Sequence, residues 1–216
     1  MWHFSLVSVR RILCLGAHAD DIEIGAGGTL LSLLGERSDL EIWWVVFSAP
    51  GHRAEEAEQS ANQYLSRTAK RQVRIGSFRE SYFPSEWPAI KDWFEEIKGS
   101  FDPEVIFTHY REDRHQDHRV LSDLAWNTFR NHLILEYEIL KYDGDLGHPN
   151  AFVPLSEEIC QRKVELLLKH FQTQASKHWF SRDTFEAMLR IRGIECASNT
   201  GRAEAFYSRK LVFDTR

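Results

Sequence analysis

A chain of 216 residues, 43% hydrophobic and 12% aromatic, can bury one substantial core and is short for two. Its 27 basic and 32 acidic residues leave a formal charge of −5, which offers little to nucleic acid or to an anionic membrane surface. No apolar run approaches the ~20 residues that cross a bilayer, and Cys14, Cys160 and Cys196, scattered and outside any C-x-x-C, suit a reducing cytoplasm better than a disulfide framework.

Residues 1–11 lack the apolar region and cleavage site of a secretory signal. Residues 11–15 read as a first strand ending at Gly16, and 27–34 as a helix ending near Gly35. The near-continuous apolar run 40–47, with Trp43 and Trp44, predicts a central strand buried on both faces, where the two tryptophans serve the core. Ala54, Ala57, Ala61 and Leu65 share one face of a helix over 52–69. A short strand at 72–75 follows, then a helix over 87–98 with Pro88 in its first turn. Residues 105–108, 118–129 and 133–140 read as strand, helix and strand. From 155 onward the chain looks mainly helical, with a short apolar segment at 211–213. Alternating strands and helices predict a single α/β domain over 1–216, a Rossmann-like three-layer sandwich with a mostly parallel sheet and a mainly helical C-terminal part.

Two clusters carry chemistry. Gly16-Ala17-His18-Ala19-Asp20-Asp21 directly follows the first strand, where open parallel sheets bind ligands. Two adjacent carboxylates beside an imidazole repel unless a cation compensates them. His18 and Asp21 could grip one ion and leave Asp20 free, although an isolated H-x-D-D is more readily a helix cap. The second cluster, residues 108–118, follows the fourth strand and holds His109, His115 and His118. Loops after different parallel strands share one sheet edge, so the two clusters can meet. Imidazole and carboxylate ligands without thiolates describe a catalytic zinc site with an open position; the same set serves non-haem iron oxygenases. A non-catalytic nucleotide-binding module is a further alternative, prompted by Gly25, Gly27 and Gly28. Their spacing is not G-x-G-x-x-G, and the acids nearby would repel a pyrophosphate.

Together, A-H-A-D-D at 17–21 and H-Q-D-H at 115–118 resemble the signature pair of the LmbE-like, or PIG-L-like, family of zinc-dependent de-N-acetylases. The likeness extends through residues 25–29, Arg53, Glu56, Asp113, residues 150–154, Lys163, Gln174, Arg192 and Gly193 to residues 203–206. It implies one zinc ion per chain and hydrolysis of an N-acetyl group on a glucosamine-type sugar. By position, His18, Asp21 and His118 would be the metal ligands and Asp20 the catalytic base. His115 would assist the transition state with Asp117 holding it, and Arg53 and Arg192 would meet substrate. Relatives assemble into multimers, hexamers among them, so a homo-oligomer is implied as well. One departure stands out: Ala19 occupies a place that is usually proline in the family.

Overall fold

A computed structural model describes residues 3–213. Seven strands form one sheet: β1 (Arg11–His18), β2 (Glu41–Ser48), β3 (Lys70–Ile75), β4 (Val105–His109), β5 (Leu133–Tyr137), β6 (Ala151–Pro154) and β7 (Ala203–Ser208). Six helices cover it: α1 (Asp21–Glu36), α2 (His52–Tyr64), α3 (Trp87–Ser100), α4 (Gln116–Thr128), α5 (Glu157–His170) and α6 (Arg182–Glu195). The sheet order is β3-β2-β1-β4-β5-β7-β6. β1 to β5 are parallel, so the topology reverses between β1 and β4, the place where open sheets gather ligands.

Alternation within the strands builds the three layers. On one face of β1, Ile12 and Cys14 join Trp44, Phe107 and Tyr137 beneath α1, α2 and α5. On the other, Leu13 and Leu15 join Val45, Phe47 and Ile106 beneath α3 and α4. Trp44 is buried, and Trp43 stacks on Phe101 with ring centroids 4.8 Å apart, so both serve packing.

α2 ends at Tyr64, short of the expected 69, and β5 at Tyr137, short of 140; two further departures bear on the site and the sheet. α1 starts at Asp21, six residues before the expected 27, because Gly25, Gly27 and Gly28 weaken the helical signal of its first turns while serving contact. A Cβ on Gly25 would stand 2.2 Å from Tyr137 Cδ2, and one on Gly28 would stand 2.5 Å from Leu155 Cδ1. These glycines sit inside a helix packed against side chains, which leaves no phosphate-binding loop. The C-terminal part also contributes more than helices. β7 pairs antiparallel with β5 and β6 antiparallel with β7, which makes the sheet mixed. The final strand lies at Ala203–Ser208, where cross-strand partners exist, whereas residues 211–213 are exposed and form no strand. Among the described residues, no helix is long and apolar enough to cross a membrane.

Candidate metal centre

β1 ends on His18, and the chain turns through Ala19 and Asp20 into α1, whose first turn carries Asp21. β4 ends on His109; His115 then caps α4, and Asp117 and His118 occupy the first turn. Because β1 and β4 are parallel neighbours, both strand ends open on the same sheet edge. Unpaired N–H groups at a helix start favour negative charge, so Asp21 and Asp117 are carboxylates the interior can hold.

Three acceptor atoms converge there. His118 Nε2 lies 3.2 Å from His18 Nδ1, and Asp21 Oδ2 lies 3.4 Å from His18 Nδ1 and 3.6 Å from His118 Nε2. The outer nitrogens of both rings face carboxylates: His18 Nε2 is 3.2 Å from Asp117 Oδ2, and His118 Nδ1 is 2.9 Å from Asp113 Oδ2. Each ring thus donates outward and turns a lone pair inward. Two lone pairs and a carboxylate oxygen at such separations repel unless a cation or a shared proton lies among them. Ligands ~2.0–2.1 Å from a tetrahedral zinc ion stand about 3.3 Å from each other, so this triangle has the size of one face of such a site. Three such ligands would leave the fourth corner of a tetrahedron for water.

The chain itself resolves the repulsion with a proton. Burial disfavours a charged His18, but hydrogen bonds to Asp117 and Asp21 overcome it and raise its pKa to about 10. Burial and the neighbouring His109 take His118 down to about 3. Burial opposes ionisation of Asp21 as well, yet His118 and His109 hold it well below the usual carboxylate range.

Asp20 sits beside the triangle without joining it. Its Oδ1 accepts from Arg53 Nη2 at 3.3 Å, while its buried Oδ2 has no partner. Burial and then the charge of Asp21 make Asp20 more basic than an ordinary carboxylate, with Arg53 opposing. Arg53 is therefore at the site, but its fork is shared between Asp20 and Glu80, whose Oε2 lies 2.8 Å from Nη1. His115 Nδ1 accepts the backbone N–H of Asp117 at 3.2 Å, which leaves the neutral ring its proton on Nε2. Burial, then the charge of His18, lower the His115 pKa.

Two expected partnerships change. The Asp117 carboxylate does not hold His115: Oδ2 takes His18 Nε2 and the Ser81 N–H at 2.6 Å, and Oδ1 takes the Phe83 N–H at 3.1 Å. As the N-cap, His115 is served by the Asp117 main chain, which frees that side chain to reach β1 and the loop after β3. Arg192 is likewise committed elsewhere. Its Nε and Nη2 bond Glu138 at 2.9 and 2.7 Å, and its Nη1 bonds Glu195 at 2.8 and 2.7 Å. The small cavity it lines, about 40 Å³, is room for water rather than for a sugar. Glu204 and Phe206, at the other matching C-terminal positions, are also structural. Glu204 accepts from Gly28 N and Thr29 N, both at 2.7 Å, and pairs with Lys163, while Phe206 is core.

Asp113 and His109 lie in the 108–118 cluster and stand behind the ligand candidates as supports, whereas Glu80 lies outside both clusters. His109 stacks on His118 with centroids 3.9 Å apart and accepts the Ala17 N–H at 2.9 Å. Its position at the end of β4, matching His18 at the end of β1, was the available signal. Nothing local marked Glu80; only its loop's place at the same sheet edge would have pointed to it.

A sequence profile described as PIG-L: GlcNAc-PI de-N-acetylase matches residues 13–129. Among solved structures, an N,N'-diacetylchitobiose deacetylase from Pyrococcus horikoshii, complexed with its inhibitor MPG, superposes with a TM-score of 0.72 at 19% identity, covering 94% of this chain and 85% of that one. The zinc-inhibited form of the teicoplanin deacetylase Orf2 gives 0.71 at 15% identity, covering 92% and 97%. GalB, the 4-carboxy-2-hydroxymuconate hydratase from Pseudomonas putida KT2440, gives 0.70 at 16%, covering 96% and 100%. Identities this low establish the shared fold, and the hydratase shows that the fold alone does not choose the reaction. The profile match spans more than half of the chain and contains both motifs, and by it the chain belongs to the PIG-L de-N-acetylase family.

Proposed function

We propose that this protein is a zinc-dependent amide hydrolase that removes the acetyl group from an N-acetylated amino sugar, releasing acetate and the free amine. The observation that carries this reading is the triangle of His18, Asp21 and His118 beside the unpartnered oxygen of Asp20. A bound zinc ion supplies a water of lowered pKa and polarises the acyl carbonyl.

The chain's own residues do the rest. Asp20 Oδ2, buried and free, accepts the proton of the attacking water. His115, with Nδ1 occupied by a main-chain N–H, offers its Nε2 proton to the oxygen on which negative charge develops. A neutral imidazole gives up that proton only at great cost, so the proton gained by Asp20 is the one passed to the leaving amine. Arg53 keeps Asp20 from becoming too basic and fixes the direction of its free oxygen.

The same three ligands would accept iron, but oxygenases using that set belong to a double-stranded β fold, unlike this α/β sandwich. The buried free cysteines accord with a reducing cytoplasm. Elemental analysis of the purified protein, combined with an acetate-release screen over N-acetylated sugars, sugar nucleotides and lipid-linked sugars, tests the proposal. About one zinc per chain and acetate release from at least one of these support it. Stoichiometric zinc with no acetate released from any amide would sink the reaction, and bound iron with oxygen uptake would sink the metal as well.

A further inference from the structure

The segment between β5 and β6 belongs to neither motif, yet one of its side chains reaches the metal cluster. Lys141 Nζ lies 2.9 Å from Asp113 Oδ2, the same oxygen that faces His118 Nδ1. The ammonium also pairs with Asp145 Oδ2, which accepts the Arg114 N–H at 2.7 Å. The Lys141 side chain is only 10% exposed, and those of Asp113 and Asp145 are 2% and 6% exposed, so water screens these charges weakly. The segment is tied down elsewhere by Glu138, which binds Arg192, the Tyr207 hydroxyl at 2.9 Å and the Gly147 N–H at 3.3 Å.

We propose that Lys141 is a positioning residue for His118: its ammonium stands between Asp113 and Asp145 and keeps the Asp113 carboxylate seated against His118 Nδ1. This rests on the metal-site reading above and extends it to a residue outside both motifs. One ammonium attracts both acids to the same place. Without it, two poorly solvated carboxylates face each other across the gap, and their repulsion is relieved when one turns away. Asp145 is anchored through Arg114 N, and Asp113 through His115 N at 2.7 Å on its Oδ1. Rotation of Asp113 about that anchor is enough to remove the acceptor from His118. A ligating histidine that loses its oriented acceptor costs about 10–100-fold in metal affinity.

The test is zinc affinity of the metal-stripped full-length protein, measured by competition with a chelating chromophore. Wild type is compared with Lys141→Met, Lys141→Arg and the double variant Lys141→Met/Asp145→Asn, and urea unfolding verifies that each is folded. Lys141→Met should bind zinc about 10–100-fold more weakly. Lys141→Arg should retain most of the affinity by keeping the charge, and the double variant should recover part of the loss by removing the repulsion. Lys141→Met within twofold of wild type overturns the proposal, as does a double variant no tighter than Lys141→Met. If Lys141→Met does not fold, Lys141→Gln takes its place with the same expectations. A wild-type protein that binds no zinc removes the metal-site reading and this inference together; zinc-binding wild type with an unaffected Lys141 variant removes the inference alone.

Discussion

Asp117→Asn separates the two roles that Asp117 can be given. The carboxylate serves three donors: His18 Nε2 at 3.2 Å and Ser81 N at 2.6 Å on one oxygen, and Phe83 N at 3.1 Å on the other. Asparagine keeps the shape but only one acceptor. If its oxygen stays toward His18 and Ser81, its amide NH2 meets the buried Phe83 N–H, donor against donor, at a cost of about 1–3 kcal/mol in stability. If the amide flips, the NH2 faces His18 Nε2, and the ring must move its proton to Nδ1, the atom that points into the triangle. Both arrangements also lose the negative charge behind His18, so zinc affinity should fall about 10–100-fold, or about 1.4–2.7 kcal/mol. Chelator competition reads the affinity, and turnover at saturating zinc reads what remains. Asparagine keeps the backbone N–H that serves His115, so zinc-saturated turnover should stay within about tenfold of wild type. Unchanged zinc affinity with turnover lost at saturating metal would refute this reasoning and return Asp117 to His115.

Asp20→Asn should bind zinc as wild type does while turnover falls about 10²–10⁴-fold, whereas His118→Ala should lose the metal as well; metal analysis of both variants distinguishes a base from a ligand. The metal-stripped protein should lose stability in alkali, because the His18 pKa is raised from 6.5 to about 10. That contribution is fully present below pH 6.5 and disappears as pH rises through about 10, so the thermal midpoint should decline over this window, and more steeply than with zinc bound. Gly25→Ala should destabilise, since its Cβ would stand 2.2 and 2.3 Å from Tyr137 Cδ2 and Cγ. An overpacking cost of about 1–3 kcal/mol outweighs the ~1 kcal/mol gained in helix propensity, and a rise in the urea midpoint would contradict it.

The parallel half of the fold and the convergence of its two motifs were legible because each rests on local pattern. Continuous apolar runs mark β1, β2 and β4, and a strand end in a parallel sheet fixes where the following residues must go. What the sequence hid depends on direction. Whether the Asp117 side chain turns toward His115 or His18 is decided by which backbone N–H groups lie in reach, and those belong to Ser81 and Phe83, far away in sequence. Arg192 has a charge suited to substrate, but Glu138 and Glu195 claim its donors, and neither lies in a motif. β7 escaped notice because Ala203–Ser208 mixes polar and apolar residues, as fits a strand paired antiparallel near a sheet edge.

The site is best understood as imidazoles fixed from behind by acids, which are themselves fixed by loops from other strands. Asp113 holds His118 and is met by Lys141 from beyond β5. Asp117 holds His18 and is met by Ser81 from beyond β3. Ser81 has a φ of 69°, a left-handed conformation that a residue with a Cβ adopts at some cost. Its main chain is pinned on both sides, by Asp117 on its N–H and by the Gln116 side chain on its carbonyl at 3.0 Å. Glu80, the residue before Ser81, pairs with Arg53, and Arg53 with Asp20. Asp117 thus holds His18 directly and is linked to Asp20 through the turn at Ser81. A parallel sheet makes this economy available, because the loops after β1, β3, β4 and β5 all open on one edge, and short polar side chains can tie them to one another.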